Sequence, residues 1–270
     1  MLASLHLSQV QRVGVPILAH EFTDFTNTHH DDDCYPLSVD TMNPKNIIHS
    51  ESSLETFMTC PKQYEAKYII KTVKFQPTAA TAFGDRVHKA LEKRLGDGTP
   101  LPRECAYLEA MCLVLLKMKG THYVEHSLSI DADLGPKEYW DKEGWFRGKA
   151  DFKVFDPESG YLRVFDFKTG KPKPASKQLK RMALLALCNM PKTAEVKKVR
   201  SAFIYTATGK LDKEDIPMEH FDDIVDELQR DAMRVDMAIT NNVFPPKPNG
   251  LCREWCQVKC AFNGRPELKV

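Results

Sequence analysis

No stretch of these 270 residues is apolar for long enough to span a bilayer, and no basic segment with a continuous apolar core follows Met1. Membrane and secreted proteins are therefore not expected, and the cytoplasm is the expected compartment. An excess of either charge is also missing: 38 Lys and Arg balance 37 Asp and Glu, a net charge of +1. That balance excludes a polycationic or polyanionic chain. It leaves room for a local basic patch, because phosphate binding depends on where the lysines lie. Internal repeats are absent, which removes solenoids and propellers. With 42% hydrophobic and 28% charged residues, the chain has the composition of a globular protein able to bury its own core.

Cysteine is present but unevenly spread. Cys34, Cys60, Cys105, Cys112 and Cys188 are scattered, whereas Cys252, Cys256 and Cys260 crowd the C-terminus. In a reducing compartment such crowding reads as metal binding rather than disulfides. Cys105, Cys112 and Cys188 sit among apolar residues, where a thiol is usually a small core side chain.

Residues 1–46 show no sustained periodicity and read as a loose arm. Its polar tract, with His29, His30 and Asp31 to Asp33, offers metal-binding side chains, but its composition favours a solvated run. Helical pattern begins near Ser52, where Ser52 and Glu55 have capping-box spacing. A second helix is expected over 81–95, where Phe83, Val87, Leu91 and Leu95 recur every four residues, and a third over 104–117. The period then changes. Segments 123–130, 145–155 and 161–168 read as strands, the last two joined by the turn Asp156-Pro157-Glu158-Ser159-Gly160. A helix over 178–188, a strand over 200–206 and a long helix over 217–241 follow, stopped by Pro245, Pro246 and Pro248. This order predicts an α/β domain over 47–264, a mixed central sheet flanked by helices, with a short tail at 265–270.

The chemistry-bearing residues lie on the strands. Along 162–168, alternation puts Asp166 and Lys168 on one face and Phe165 and Phe167 on the other. By itself this triplet also suits an edge-strand salt bridge. One strand earlier, Asp151 stands between Ala150 and Phe152, an unusual setting for a solvated acid. Two such carboxylates converging across a hairpin are what Mg2+ or Mn2+ requires, although an acid serving the turn has the same local signature. On the second helix, Gly84, His88 and Glu92 stack at four-residue spacing. A lone histidine beside an apolar stripe is more often a packing residue than a ligand.

In order and spacing, these elements resemble the RecB-like branch of the PD-(D/E)XK nuclease superfamily, which includes CRISPR-associated exonucleases and AddAB-type recombination nucleases. Gly84, His88, Leu91 and Glu92 meet its G-x-x-x-H-x-x-L-E helix, and Gly148 and Asp151 its G-x-x-D strand. Asp166 and Lys168, followed by Thr169, Gly170 and Lys171, meet its D-x-K strand. Gln178 meets its Q-x-x-x-Y helix, with Met182 where tyrosine is usual, and Ser52-Ser53-Leu54 with Cys60-Pro61 and Tyr64 resembles its entry helix. The likeness spans roughly 47–264.

The resemblance implies a phosphodiester hydrolase acting on DNA. His88, Asp151, Asp166 and the main-chain carbonyl of Phe167 would hold Mg2+ or Mn2+, Lys168 would position or deprotonate the attacking water, and Gln178 would orient a site residue or the substrate backbone. Glu125 reads either as a partner of a metal-bound water or as a surface acid. Lys168, Lys171, Lys173, Lys177, Lys180 and Arg181 form a basic stretch with no intervening acid, suited to phosphates, or an ordinary solvated helix face. In several relatives one upstream cysteine joins three C-terminal ones around a four-iron cluster. Here Cys60 with Cys252, Cys256 and Cys260 would do so, although the spacing is C-x3-C-x3-C rather than the family's C-x2-C-x5-C, and four thiolates equally suit Zn2+. The expected role is an exonuclease of recombination, repair or phage DNA metabolism, located in the host cytoplasm if phage-encoded. An endonuclease and a non-cleaving DNA-binding subunit are the alternatives.

Overall fold

A computed structural model describes residues 47–73, 77–172 and 177–270. The N-terminal arm, with Cys34, His29 and His30, lies outside the described residues, as does Lys173.

The elements are β1 (His49–Ser50), α1 (Glu51–Thr59), α2 (Pro61–Tyr64), α3 (Ala79–Gly96), α4 (Glu109–Leu116), β2 (Thr121–Ile130), β3 (Pro136–Lys137), β4 (Phe146–Asp156), β5 (Tyr161–Lys168), α5 (Gln178–Cys188), β6 (Lys198–Tyr205), β7 (Lys210–Ile216) and α6 (Phe221–Thr240). They build a seven-stranded mixed sheet in the order β3-β2-β4-β5-β6-β7, with β1 also paired to β4. β5 and β6 run parallel, connected through α5, and β1 runs parallel to β4, while the other pairs are antiparallel. The expected mixed α/β architecture is therefore present.

Helices cover both faces because the strands are apolar on both. One cluster sets Leu54 and Phe57 of α1, Leu179 and Leu184 of α5, and Leu228 of α6 against Ile130, Phe146, Leu162 and Val199. The other sets Val87, Leu91 and Leu95 of α3 and Cys112 and Leu115 of α4 against Phe152, Val154, Phe165 and Phe167. Leu91, Phe152, Leu162 and Leu228 are completely buried. Emptying any one of these positions to alanine should cost about 2–5 kcal/mol.

Several boundaries differ from the sequence expectation. α1 starts at Glu51 because Ser50, not Ser52, is the N-cap, exchanging hydrogen bonds with Ser53. α3 starts at Ala79 with Thr78 and Thr81 as its capping box. The helix expected over 104–117 begins as a 3-10 segment, Arg103–Leu108, before α4. β1 and β3 are too short to leave a pattern. β7, Lys-Leu-Asp-Lys-Glu-Asp-Ile, is an edge strand whose charges conceal its alternation, as suits an edge exposed to solvent.

Candidate functional site

Two matched irregularities in the sheet shape the site. In β4, Phe146 and Ala150 face the α5 side, yet Phe152 and Val154 face α3 and α4. The alternation therefore shifts by one at Asp151. In β2, Leu128 and Ile130 face the α5 side, whereas Val124 packs on the other. The shift there falls at Glu125, whose φ is +48°, and the ladder pairs Val124 with Phe152 and His126 with Ala150 on either side of it. A glutamate in left-handed backbone costs about 1 kcal/mol or more, and such strain concentrates at functional sites.

The consequence is a convergence. One ligand atom each of His88, Glu125 and Asp151 lie within 4.8 Å of one another. His88 Nδ1 is 3.3 Å from Asp151 Oδ1, and the His88 ring meets the edge of Phe167 at 6.3 Å. Asp151 Oδ2 accepts a hydrogen bond from the Phe167 N–H at 2.5 Å, fixing the carboxylate against β5. The hydrogen bond with Asp151 raises the His88 imidazole above its ordinary value despite partial burial, and Asp166 and Glu125 add to the effect. Burial chiefly, then the charges of Asp151 and Glu92, push the Glu125 carboxyl upward. Two carboxylates at such separation repel by roughly 3–4 kcal/mol at an effective dielectric constant of 20. One imidazole and two carboxylates meeting at a point therefore fit a divalent cation, Mn2+ or Mg2+ by donor type.

Beside this trio stands a second group. Asp166 Oδ2 is 2.6 Å from Lys168 Nζ, Gln178 Nε2 donates to Asp166 Oδ1 at 3.2 Å, and Lys168 Nζ donates to Gln178 Oε1 at 3.2 Å. Asp166 and Lys168 thus share a strand face, and Gln178, the first residue of α5, closes the triangle. Burial pushes the Asp166 carboxyl up to about 6, with Lys168 opposing and Asp151 adding to the rise. Lys168 Nζ also lies 4.6 Å from the centre of the Phe203 ring. Phe167 reaches the trio through its N–H. Gly84 lets α3 settle here, since any Cβ would stand 3.0 Å from Thr169 Oγ1, just after Lys168. Met182, where a tyrosine was the expectation, is buried in the core.

The basic stretch divides. Arg181 is buried, its Nη1 donating to Glu51 at 2.9 Å and its Nη2 to Asp231 at 2.5 Å. Lys177 pairs with Asp231 at 2.7 Å and Glu227 at 2.9 Å. The expectation that Arg181 faces a phosphate is corrected: its guanidinium is enclosed by acids from α1 and α6. Lys177 is half-exposed but already paired. Lys180 is half-exposed, with Glu214 at 3.7 Å, and Lys171 is exposed.

Cys60, Cys252, Cys256 and Cys260 line one small cavity, together with Lys62, Pro246 and Val258. All four are free thiols. The end of α1 is tied to the segment after α6 there by hydrogen bonds from the Lys247 N–H to Cys60 Sγ at 3.4 Å, from Lys247 Nζ to the Met58 carbonyl and from Asn249 Nδ2 to the Thr59 carbonyl. Burial, then the neighbouring thiols, raise Cys256. The tail expected at 265–270 folds back, with the Leu268 carbonyl accepting from the Cys260 N–H.

Sequence reasoning left Glu125 undecided. The signal was its place one strand away from Asp151, but the backbone turn that aims it has no sequence signature.

A model of the PD-(D/E)XK nuclease superfamily matches residues 49–261. Among solved structures, a candidate exonuclease from Eubacterium rectale is similar at 12% identity and a TM-score of 0.46, over 83% of this chain and 93% of that one. The protein SSO0001 is similar at 16% identity and a TM-score of 0.34, over 70% of this chain and 76% of that one. No curated protein matches.

Proposed function

We propose that this chain, which belongs to the PD-(D/E)XK nuclease superfamily, is a divalent-metal-dependent deoxyribonuclease of the RecB-like branch. We read it as an exonuclease of recombination, repair or phage DNA metabolism, working in the cytoplasm. No helix among the described residues is long and apolar enough to cross a membrane. The observation that carries the reading is the meeting of His88, Glu125 and Asp151 beside the Asp166–Lys168–Gln178 triangle.

His88, Glu125 and Asp151 would hold Mg2+ or Mn2+, with Asp166 and the Phe167 carbonyl as further donors from β5. A bound divalent ion supplies Lewis-acid polarisation of the phosphoryl oxygen and a more acidic water. The chain's own residues do the rest. Lys168 places a positive charge where the attacking water and scissile phosphate meet, and its bond to Asp166 keeps the ammonium from swinging away. Gln178 holds both groups in register and fixes them to α5. Phe203 under the Lys168 ammonium, and Phe167 under His88, restrict water on the core side. Lys171 and Lys180 remain the described lysines of this stretch best placed to meet backbone phosphates.

The four cysteines would hold a four-iron cluster rather than a single zinc. What supports a metal centre there is that all four line one cavity, and that the resemblance pairs one upstream cysteine with three C-terminal ones around a four-iron cluster. The cluster would clamp α1 to the C-terminal segment and take no part in cleavage.

The test is a product time course on end-labelled linear and on circular DNA with Mg2+ and with Mn2+. Mononucleotides released from linear DNA alone are the expected result. Nicking of circles moves the reading to an endonuclease, and binding without cleavage moves it to a DNA-binding subunit.

A further inference from the structure

Arg147, Lys149 and Asp151 occupy alternate positions of β4 before its alternation shifts, on the face away from α5. From Arg147 to Asp151 the strand advances about 13 Å. The Arg147 guanidinium lies 5.1 Å from the Tyr139 ring centre and 5.0 Å from that of Trp140, and its Nη1 donates to the Tyr139 carbonyl at 3.4 Å. Trp140 is 79% exposed, a large apolar surface that folding leaves in water. Lys149 is exposed and close enough to favour the charged form of Glu125. Neither Arg147 nor Lys149 makes a salt bridge among the described residues. Of the acids in the same loop, Asp133 and Glu138 are exposed, while Asp131, Asp141 and Glu143 are engaged there. Asp131 accepts from the Asp133 and Gly135 N–H groups, Asp141 from that of Glu143, and Lys137 pairs with Asp131 and Glu143.

We propose that Trp140, Arg147 and Lys149 form a track for single-stranded DNA leading along β4 to the His88–Glu125–Asp151 trio. A base stacks on the free face of Trp140, and backbone phosphates follow Arg147 and Lys149. An exposed planar ring with a guanidinium 5.0 Å from its centre offers what an unpaired base seeks, a flat surface with a cation beside it. Paired bases inside a duplex keep their faces covered, so the same platform gives a duplex little. The direction of the track rests on the nuclease reading. The single-strand preference does not.

The test uses the full chain in Ca2+, with labelled oligothymidine and a blunt hairpin duplex as probes, read by fluorescence anisotropy. Trp140→Ala is expected to weaken oligothymidine binding about tenfold while leaving the duplex unchanged, and Trp140→Phe to recover most of the loss. Arg147→Ala should weaken the same probe and flatten its salt dependence. Oligothymidine should quench the tryptophan fluorescence of the parent, and less so that of Trp140→Phe. Equal losses on both probes, no loss at all, or a parent that does not bind oligothymidine overturns the proposal. If the parent binds with the quench but cuts nothing in Mg2+ or Mn2+, the nuclease reading fails and the track stands.

Discussion

Replacing Asp231 with alanine should destabilise the fold by about 3–5 kcal/mol. Asp231 is 3% exposed on α6, and its Oδ2 receives both Lys177 Nζ at 2.7 Å and Arg181 Nη2 at 2.5 Å. Arg181 is 2% exposed, so losing Asp231 leaves a buried guanidinium with Glu51 as its remaining anion. Glu51 compensates poorly, because burial already pushes its carboxyl up against the pull of Arg181. A urea titration reads the loss directly, and thermal melting should fall by roughly 6–20 °C at 2–4 °C per kcal/mol. The pH dependence has a definite sign. Burial alone would raise Asp231, but the hydrogen bonds from Lys177 and Arg181 outweigh it and hold the carboxyl below its ordinary value. Its contribution is therefore complete above the unfolded value of about 4 and disappears as pH falls through the lower folded one. Parent and variant should converge in acid and differ most near neutrality. A difference under about 0.5 kcal/mol at neutral pH, the size of a surface effect, refutes the buried hub. Arg181 would then be available to a phosphate after all.

Asp166→Asn and Lys168→Ala should each lower kcat by at least about a hundredfold while melting within a few degrees of the parent; near-normal turnover in either removes them from the chemistry. Glu125→Gln should weaken Mn2+ binding on the order of tenfold in calorimetry, and unchanged affinity would return Glu125 to the surface acids. Lys171→Ala with Lys180→Ala should reduce the slope of log affinity against log salt by about 1–2; an unchanged slope places the phosphates elsewhere. Cys256→Ser should abolish iron and sulfide in anaerobically purified protein and lower its stability before its activity. Parent protein that contains zinc, or no metal, ends the iron–sulfur reading.

Much of the fold was legible because periodicity survives wherever one face is buried. The four-residue recurrence of Val87, Leu91 and Leu95 marked α3, and all three are core residues. Alternation over 161–168 gave β5 its boundaries and put Phe165 and Phe167 inward. Legibility ended where burial did. β7 faces solvent with charges, and only its pairing to β6 makes it a strand. Arg181 misled for the opposite reason: charge in a sequence does not show whether acids meet it. Glu51 and Asp231, 130 and 50 residues from Arg181 along the chain, turn that arginine into a core residue.

The site shows most clearly what a one-dimensional pattern omits. Strict alternation would have put Asp151 and Phe152 on opposite faces of the sheet. Instead both belong to the α3 side, because β4 and β2 lose register with their own faces at the same level. A slip in one strand alone would strain the ladder between them, but a slip in both keeps Val124 opposite Phe152 and His126 opposite Ala150. The shared slip leaves the Asp151 and Glu125 carboxylates side by side at His88, while Asp166 on regular β5 pairs with Lys168 and Gln178. Asp151, tied to the Phe167 N–H, and Asp166, tied to Lys168, therefore meet at the β5 backbone, close enough that Asp151 and His88 both act on the Asp166 carboxyl. If the slip creates the site, straightening it must dismantle the site without touching a ligand. Glu125→Gly relieves the positive φ but removes the carboxylate, so the cleaner change is at a neighbour. Ala150→Val should favour regular extended backbone just before Asp151, at a completely buried position where added methyls must displace neighbours. The expected result is weaker Mn2+ binding with every ligand still present, and wild-type affinity in a folded Ala150→Val protein would show that the slip is incidental.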